Sequence, residues 1–162
     1  MSDFDDVTLS GTDYKIPKAT SSAPWGEELN DYLKALGEAY STLVGVGDIP
    51  ETAAVIANNQ SSPVVVTGLS FDSALVKSAQ ILYSINRQTT GSSLNETGQL
   101  TVLYDSTKPV NQKWSIQRDM IGEGEIEFTI NDSGAVLYTT NNQIGASYTG
   151  LIKFEAKATL QT

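Results

Sequence analysis

Cysteine and histidine are both absent from this 162-residue chain. The first absence excludes disulfides, thiolate nucleophiles and Cys-based zinc or iron–sulfur sites; the second removes the commonest general base and metal ligand. A serine nucleophile would have to rely on Lys or an N-terminal amine, and no GxSxG, SxxK or phosphate-cradling loop occurs. An enzyme is therefore not expected, and no motif asks for a cofactor or a metal ion. Positive charge is scarce as well. Ten Lys and Arg against nineteen Asp and Glu give a net charge of −9, which argues against nucleic acid as a partner, because phosphate contacts need clustered bases. No apolar run reaches about 18 residues, and Met1-Ser2-Asp3-Phe4-Asp5-Asp6 lacks the basic and apolar regions of a signal peptide. Neither membrane insertion nor export is expected.

What is present points to one principal core with an appendage. Apolar residues make up 40% and charged residues 18%, the composition of a folded domain rather than a disordered polyelectrolyte. The acidity is uneven: residues 1–52 hold ten acids and three bases, net −7, leaving nine acids and seven bases, net −2, for residues 53–162. Residues 1–22 read as an extended arm, since Pro17 removes a donor and biases Ile16 away from helix. An arm of this kind, with no core of its own, either stays disordered or orders against another surface. Tyr14, Lys15, Ile16 and Pro17 are its candidate docking residues, with Tyr14 and Ile16 as anchors.

Residues 23–45 read as an amphipathic helix. Ser22 is placed to N-cap it, Pro24 suits the first turn, and Glu27 and Glu28 lie near the positive end of the dipole. Leu29, Leu33, Leu36, Tyr40 and Leu43 recur at spacings of four and three and line one face. That face either joins copies of the chain, as a trimerisation seam, or packs on the chain's own β region. Gly45, Gly47 and Pro50 end the helix, and residues 46–58 form a linker with a first short strand.

From residue 59 to the end the period is that of strands. Ile81, Tyr83 and Ile85 share one face, with Leu82 interrupting the polar residues of the other; Leu100, Val102 and Tyr104 alternate with Gln99, Thr101 and the less cooperative Leu103; and Trp114 and Ile116, Ile126, Phe128 and Ile130, and Ile152, Phe154, Ala156 and Ala158 alternate with polar residues. Asn131-Asp132-Ser133-Gly134 turns the chain from one of these strands into Val136-Leu137-Tyr138, which reads as a hairpin. Residues 73–79 read as a strand start or a short helical turn. Seven or eight strands with turn-rich connections predict a mainly β fold, an antiparallel β-sandwich or jelly roll.

Some residues invite functional readings. Glu123, Glu125 and Glu127 are spaced by two, which on a continuous strand puts all three on one solvent face; that arrangement discourages edge pairing more readily than it builds a cation or glycosidase site. Trp114, Tyr138 and Tyr148 would suit a carbohydrate-binding module, with a host-surface glycan as ligand, unless they face the core. The stretches 89–97 and 141–146 read as polar loops available for recognition.

Thr12-Asp13-Tyr14-Lys15-Ile16-Pro17-Lys18, Pro24-Trp25-Gly26-Glu27-Glu28-Leu29-Asn30-Asp31-Tyr32-Leu33 and Gly47-Asp48-Ile49 resemble the N-terminal region of tailed-bacteriophage virion proteins of the fibre and decoration kind. Val66-Thr67-Gly68-Leu69-Ser70-Phe71 and Tyr83-Ser84-Ile85-Asn86-Arg87 resemble modules of similar phage appendage proteins. The resemblance implies a non-enzymatic virion protein, commonly a homotrimer, whose N-terminal part docks on the major capsid protein or another virion protein while the β module projects. A capsid-attached decoration or short head-fibre protein is the leading expectation, because brevity leaves little room for a shaft. A tail fibre or a tail or baseplate adaptor is the alternative.

Overall fold

The structure, a computed structural model, describes residues 4–9, 12–17, 31, 33–37 and 45–162. The chain divides into two compact units, Met1–Gly45 and Val46–Thr162.

In the first unit, β1 (Phe4–Leu9) and β2 (Thr12–Pro17) pair antiparallel, with Val7 opposite Tyr14 and Asp6 opposite Lys15. The stretch expected to be extended is extended, and the pairing gives the two segments backbone partners in each other. Residues 31 and 33–37 are helical, within the expected helix. Leu33 is half-buried there and Leu36 is exposed. Leu29, Tyr40, Leu43 and the helix start at 22–28 lie outside the described residues.

The second unit is a sandwich of two antiparallel sheets. The larger has the order β3 (Ile49–Val55), β10 (Thr149–Leu160), β5 (Val76–Thr89), β6 (Ser92–Tyr104), β7 (Trp114–Glu123). The smaller has the order β4 (Val64–Ser70), β9 (Ala135–Thr140), β8 (Ile126–Ile130). Period-2 alternation is what sorts the residues. Along β5, Ala79, Ile81, Tyr83 and Ile85 are buried, and opposite them on β10 so are Ala156, Phe154 and Ile152. Leu100 and Val102 of β6, Val66 and Leu69 of β4, and Val136 and Tyr138 of β9 close one shared core. Each such aliphatic side chain contributes about 1.5–3 kcal/mol by leaving water.

The expected hairpin at 126–140 is present, its turn held by the Asn131 Oδ1, which accepts from the amides of Ser133 (3.1 Å) and Ala135 (3.0 Å). Residues 73–75 form a single turn before β5 begins at Val76.

Two expectations are corrected. Residues 89–97 are not a loop: β5 and β6 continue their ladder to Thr89 opposite Ser92, leaving only Thr90-Gly91 as a two-residue turn. The polar sequence concealed the strands because their inward positions at this end are Arg87, Thr89 and Glu96 rather than aliphatics. Glu123, Glu125 and Glu127 do not share a strand. Glu123 ends β7 in one sheet and Glu127 belongs to β8 in the other, with Glu125 at φ 46° in the crossover between them. Gly122 makes the departure feasible, since its φ of +95° and the adjacent Asn95 carbonyl leave no room for a Cβ.

Candidate functional site

The inward positions beyond Ile85 assemble a charged cluster at one end of the sandwich. Arg87 on β5 is fully buried. Its Nε donates to the Tyr148 hydroxyl (3.1 Å), Nη1 to the carbonyls of Gly124 (2.7 Å) and Glu125 (2.9 Å), and Nη2 to Asn58 Oδ1 (3.2 Å) and the Asn141 carbonyl (2.6 Å). A guanidinium has five N–H donors in a fixed fork, and here every one meets a neutral acceptor. Its carbon also lies 5.8 Å from the Tyr148 ring centroid, in cation–π range. One side chain thereby fastens the β3–β4 loop, the β7–β8 crossover and the β9–β10 loop.

Beside it, Glu96 of β6 faces Arg118 of β7. The Glu96 side chain has no exposed surface and pairs through Oε1 with Arg118 Nη2. The same oxygen accepts from the Tyr83 hydroxyl at 2.6 Å, and Oε2 accepts from the Gly124 amide at 3.0 Å. Arg118 also donates from Nε to Tyr83 Oη (3.0 Å) and from Nη1 to the Ile126 carbonyl (2.6 Å), and lies 5.5 Å from the Phe128 ring centroid. Burial, reinforced by the bond to Glu96, pushes the Tyr83 hydroxyl well above its ordinary value, so it stays a neutral donor. Burial pulls Arg118 downward, but the hydrogen bonds to Glu96 and Tyr83 outweigh it and leave the guanidinium held more firmly protonated.

These groups bond to one another and to the backbone of the crossover, so the chemistry they perform is structural: they join β5, β6, β7 and β8. Gln143 extends the arrangement. It is buried, donates from Nε2 to the Arg87 carbonyl (3.3 Å) and the Ser92 carbonyl (3.1 Å), and its amide reaches Asn58 Oδ1 at 2.8 Å. The stretch 141–146, read as a recognition loop, is thus pinned from inside, while Ile144 points to solvent.

The aromatic candidates go elsewhere. Trp114 is buried with ring centroids 5.1 Å from Tyr104 and 6.3 Å from Phe71. Tyr138 is buried with its hydroxyl accepting from the Ala57 amide at 2.9 Å, and Tyr148 is occupied by Arg87. The stacking residues of a carbohydrate site are therefore core and clamp. Tyr14, Lys15, Ile16 and Pro17 share β2, and Leu33 and Leu36 share the helical stretch.

No family model matches the chain, and no curated protein matches it. Among solved structures it is similar to the tailspike protein of Acinetobacter phage vB_ApiP_P1, at 16% identity and a TM-score of 0.43, over 67% of this chain. The match spans 22% of the tailspike chain.

Arg87, Glu96, Arg118 and Gln143 escaped the sequence reading, although a signal for two of them existed. Continuing the alternation from Tyr83 and Ile85 by two residues lands on Arg87, and continuing back from Leu100 through Gly98 lands on Glu96. Arg118 and Gln143 had no comparable marker. On the opposite, outward face of the same sheet, Ser84, Asn86, Asn95 and Thr97 floor a shallow depression of about 430 Å³ whose other lining residues include Ile121, Leu151 and Lys153.

Proposed function

We propose that the chain is a non-enzymatic structural protein of a tailed-bacteriophage virion, a capsid-attached decoration or short head-fibre protein. Its N-terminal unit docks on the particle through the segment around Tyr14, Lys15, Ile16 and Pro17, and its β-sandwich is displayed. The observation that carries this reading is the division at Gly45 and Val46: an acidic unit with paired strands and helical residues precedes a sandwich whose buried charges are spent on its own backbone and side chains. The resemblance of residues 12–50, 66–71 and 83–87 to phage appendage proteins supplies the virion context. A module braced in this way by its own side chains suits a display role.

Locating the protein on its native particle by electron cryomicroscopy tests the reading. Density for the sandwich on the shell is the expected result. Density confined to the tail replaces the head assignment with a tail one, and absence from purified particles removes the virion role.

A further inference from the structure

β3 closes one edge of the five-stranded sheet with little burial: Ala54 is its one buried side chain, against seven along β5. Its ladder with β10 is also interrupted. Thr52 pairs with Phe154 and Ile49 with Ala156, so Pro50 and Glu51 stand opposite Glu155 alone, the two-against-one arrangement of a β-bulge. Pro50 brings no amide to that stretch. The strand is therefore two short pieces, Ile49 before the bulge and residues 52–55 after it.

The two ends are fastened by different means. The far end runs into the Arg87 cluster: the Ile56 amide donates to the Gly150 carbonyl at 2.9 Å, Ile56 is fully buried, and Asn58 Oδ1 accepts from Arg87 Nη2 and from the Gln143 amide. At the near end a side chain stands in for backbone. The ladder stops at Ile49, and beyond it Asp48 Oδ1 accepts from the Ala158 amide at 2.7 Å while Oδ2 accepts from Lys157 Nζ at 2.9 Å. Gly47 lets the chain approach closely enough for this. At φ +81° its bare Cα faces β5 and β10, and a Cβ there would come within 2.7 Å of Val76 Cγ2.

We propose that residues 47–51 form a strap, fastened by Asp48 and hinged at the bulge, which lifts from β10 while residues 52–58 stay in place. Local opening of this kind concentrates where few apolar contacts hold the backbone. Lifting uncovers the edge of β10 over residues 155–158, whose other edge remains laddered to β5. A bare strand edge is a template for a further strand, and the strap decides when this one is presented. The inference does not depend on the virion role.

Native-state amide exchange of the full chain compares the two fastenings directly. Corrected for intrinsic rates, the Ala158 amide is expected to exchange at least about tenfold faster than the Ile56 amide and at a rate unmoved by low urea, whereas Ile56 speeds up with urea together with Ile81 and Leu100. The absence of native cysteine supplies a second readout, since Ile49→Cys puts a thiol on the strap and Ala54→Cys puts one beyond the hinge. Adding Asp48→Ala should accelerate labelling of the first about tenfold and leave the second unchanged; a general loss of stability would accelerate both. Ala158 and Ile56 amides that exchange together and respond alike to urea, or an Asp48→Ala effect that is equal at the two thiols or missing at both, overturn the proposal.

Discussion

Replacing Glu96 with Gln preserves shape and removes one charge, and the consequences follow from the geometry. The carboxylate serves two directions at once: Oε1 faces Arg118 and Tyr83, and Oε2 faces the Gly124 amide. An amide has one oxygen. Whichever way Gln is turned, its NH₂ meets a donor, either the Gly124 N–H or the Arg118 and Tyr83 pair. One buried donor is orphaned and the Arg118 charge loses its counterion. Breaking a buried pair from one side costs about 3–5 kcal/mol; because the Arg118 side chain keeps 17% of its surface exposed, the lower figure of about 3 kcal/mol is expected. For a domain of this size that corresponds to a fall in Tm of about 12 °C. Urea unfolding followed by circular dichroism measures it. Arg118→Met strands the fully buried carboxylate instead and is expected to cost more, about 4–5 kcal/mol. The double variant should cost about 2 kcal/mol less than the sum of the two singles, because each partner is buried only for the other. A loss below about 1 kcal/mol for Glu96→Gln, or strict additivity in the double variant, would refute the claim that this pair joins the sheets.

Arg87→Met should destabilise by more than about 3 kcal/mol, since it orphans the carbonyls of Gly124 and Asn141 together, and amide hydrogen exchange should show 141–148 losing protection first. Glu127→Gln serves as the contrasting surface change: Glu127 is 3.8 Å from Arg118 but 84% exposed, so stability should move by less than about 0.5 kcal/mol. The raised hydroxyl of Tyr83 predicts a pH dependence. Its contribution is fully present below the unfolded tyrosine value near 10 and falls by about 1.4 kcal/mol per unit as pH climbs above it, until the folded-state value is reached; Tyr83→Phe should flatten that decline in urea midpoints measured from pH 9 to 11.5. Removing residues 1–22 should leave the sandwich folded by circular dichroism and abolish its binding to purified particles. Retained binding would move the docking element elsewhere.

The parts of the fold that could be read from sequence are those in which hydrophobicity and inward direction coincide. Ile81, Tyr83 and Ile85 on β5 and Ile152, Phe154 and Ala156 on β10 announced their strands because alternation there separates apolar from polar residues. Past Ile85 the backbone keeps its period while the side chains change character, and Arg87 and Glu96 occupy positions that elsewhere hold Ile or Leu. A pattern reading registers that as a polar loop. The three glutamates failed for the complementary reason: their spacing is regular but the strand is not continuous, and the left-handed backbone at Gly122 and Glu125 is what interrupts it. The buried cluster depends on pairings far apart in sequence, such as Arg87 with Asn141, which local periodicity does not encode.

The two ends of the sandwich differ in how much added sequence they can absorb. Three connections converge on the guanidinium of Arg87, and a residue inserted into any of them displaces an acceptor that the other two also rely on for alignment. At the far end, the connection between β6 and β7 runs from Asp105 to Lys113; its first half is held by local bonds, among them Asp105 Oδ1 accepting from the Thr107 amide at 3.0 Å, and its second half by the Asn111 and Lys113 amides donating to the Asp132 carboxylate of the β8–β9 turn. A peptide tag placed between Lys108 and Pro109 would lengthen a loop without touching that junction, whereas the same tag at 141–146 would prise it open. Whatever surface this module displays, its length is adjustable at one pole and fixed at the other.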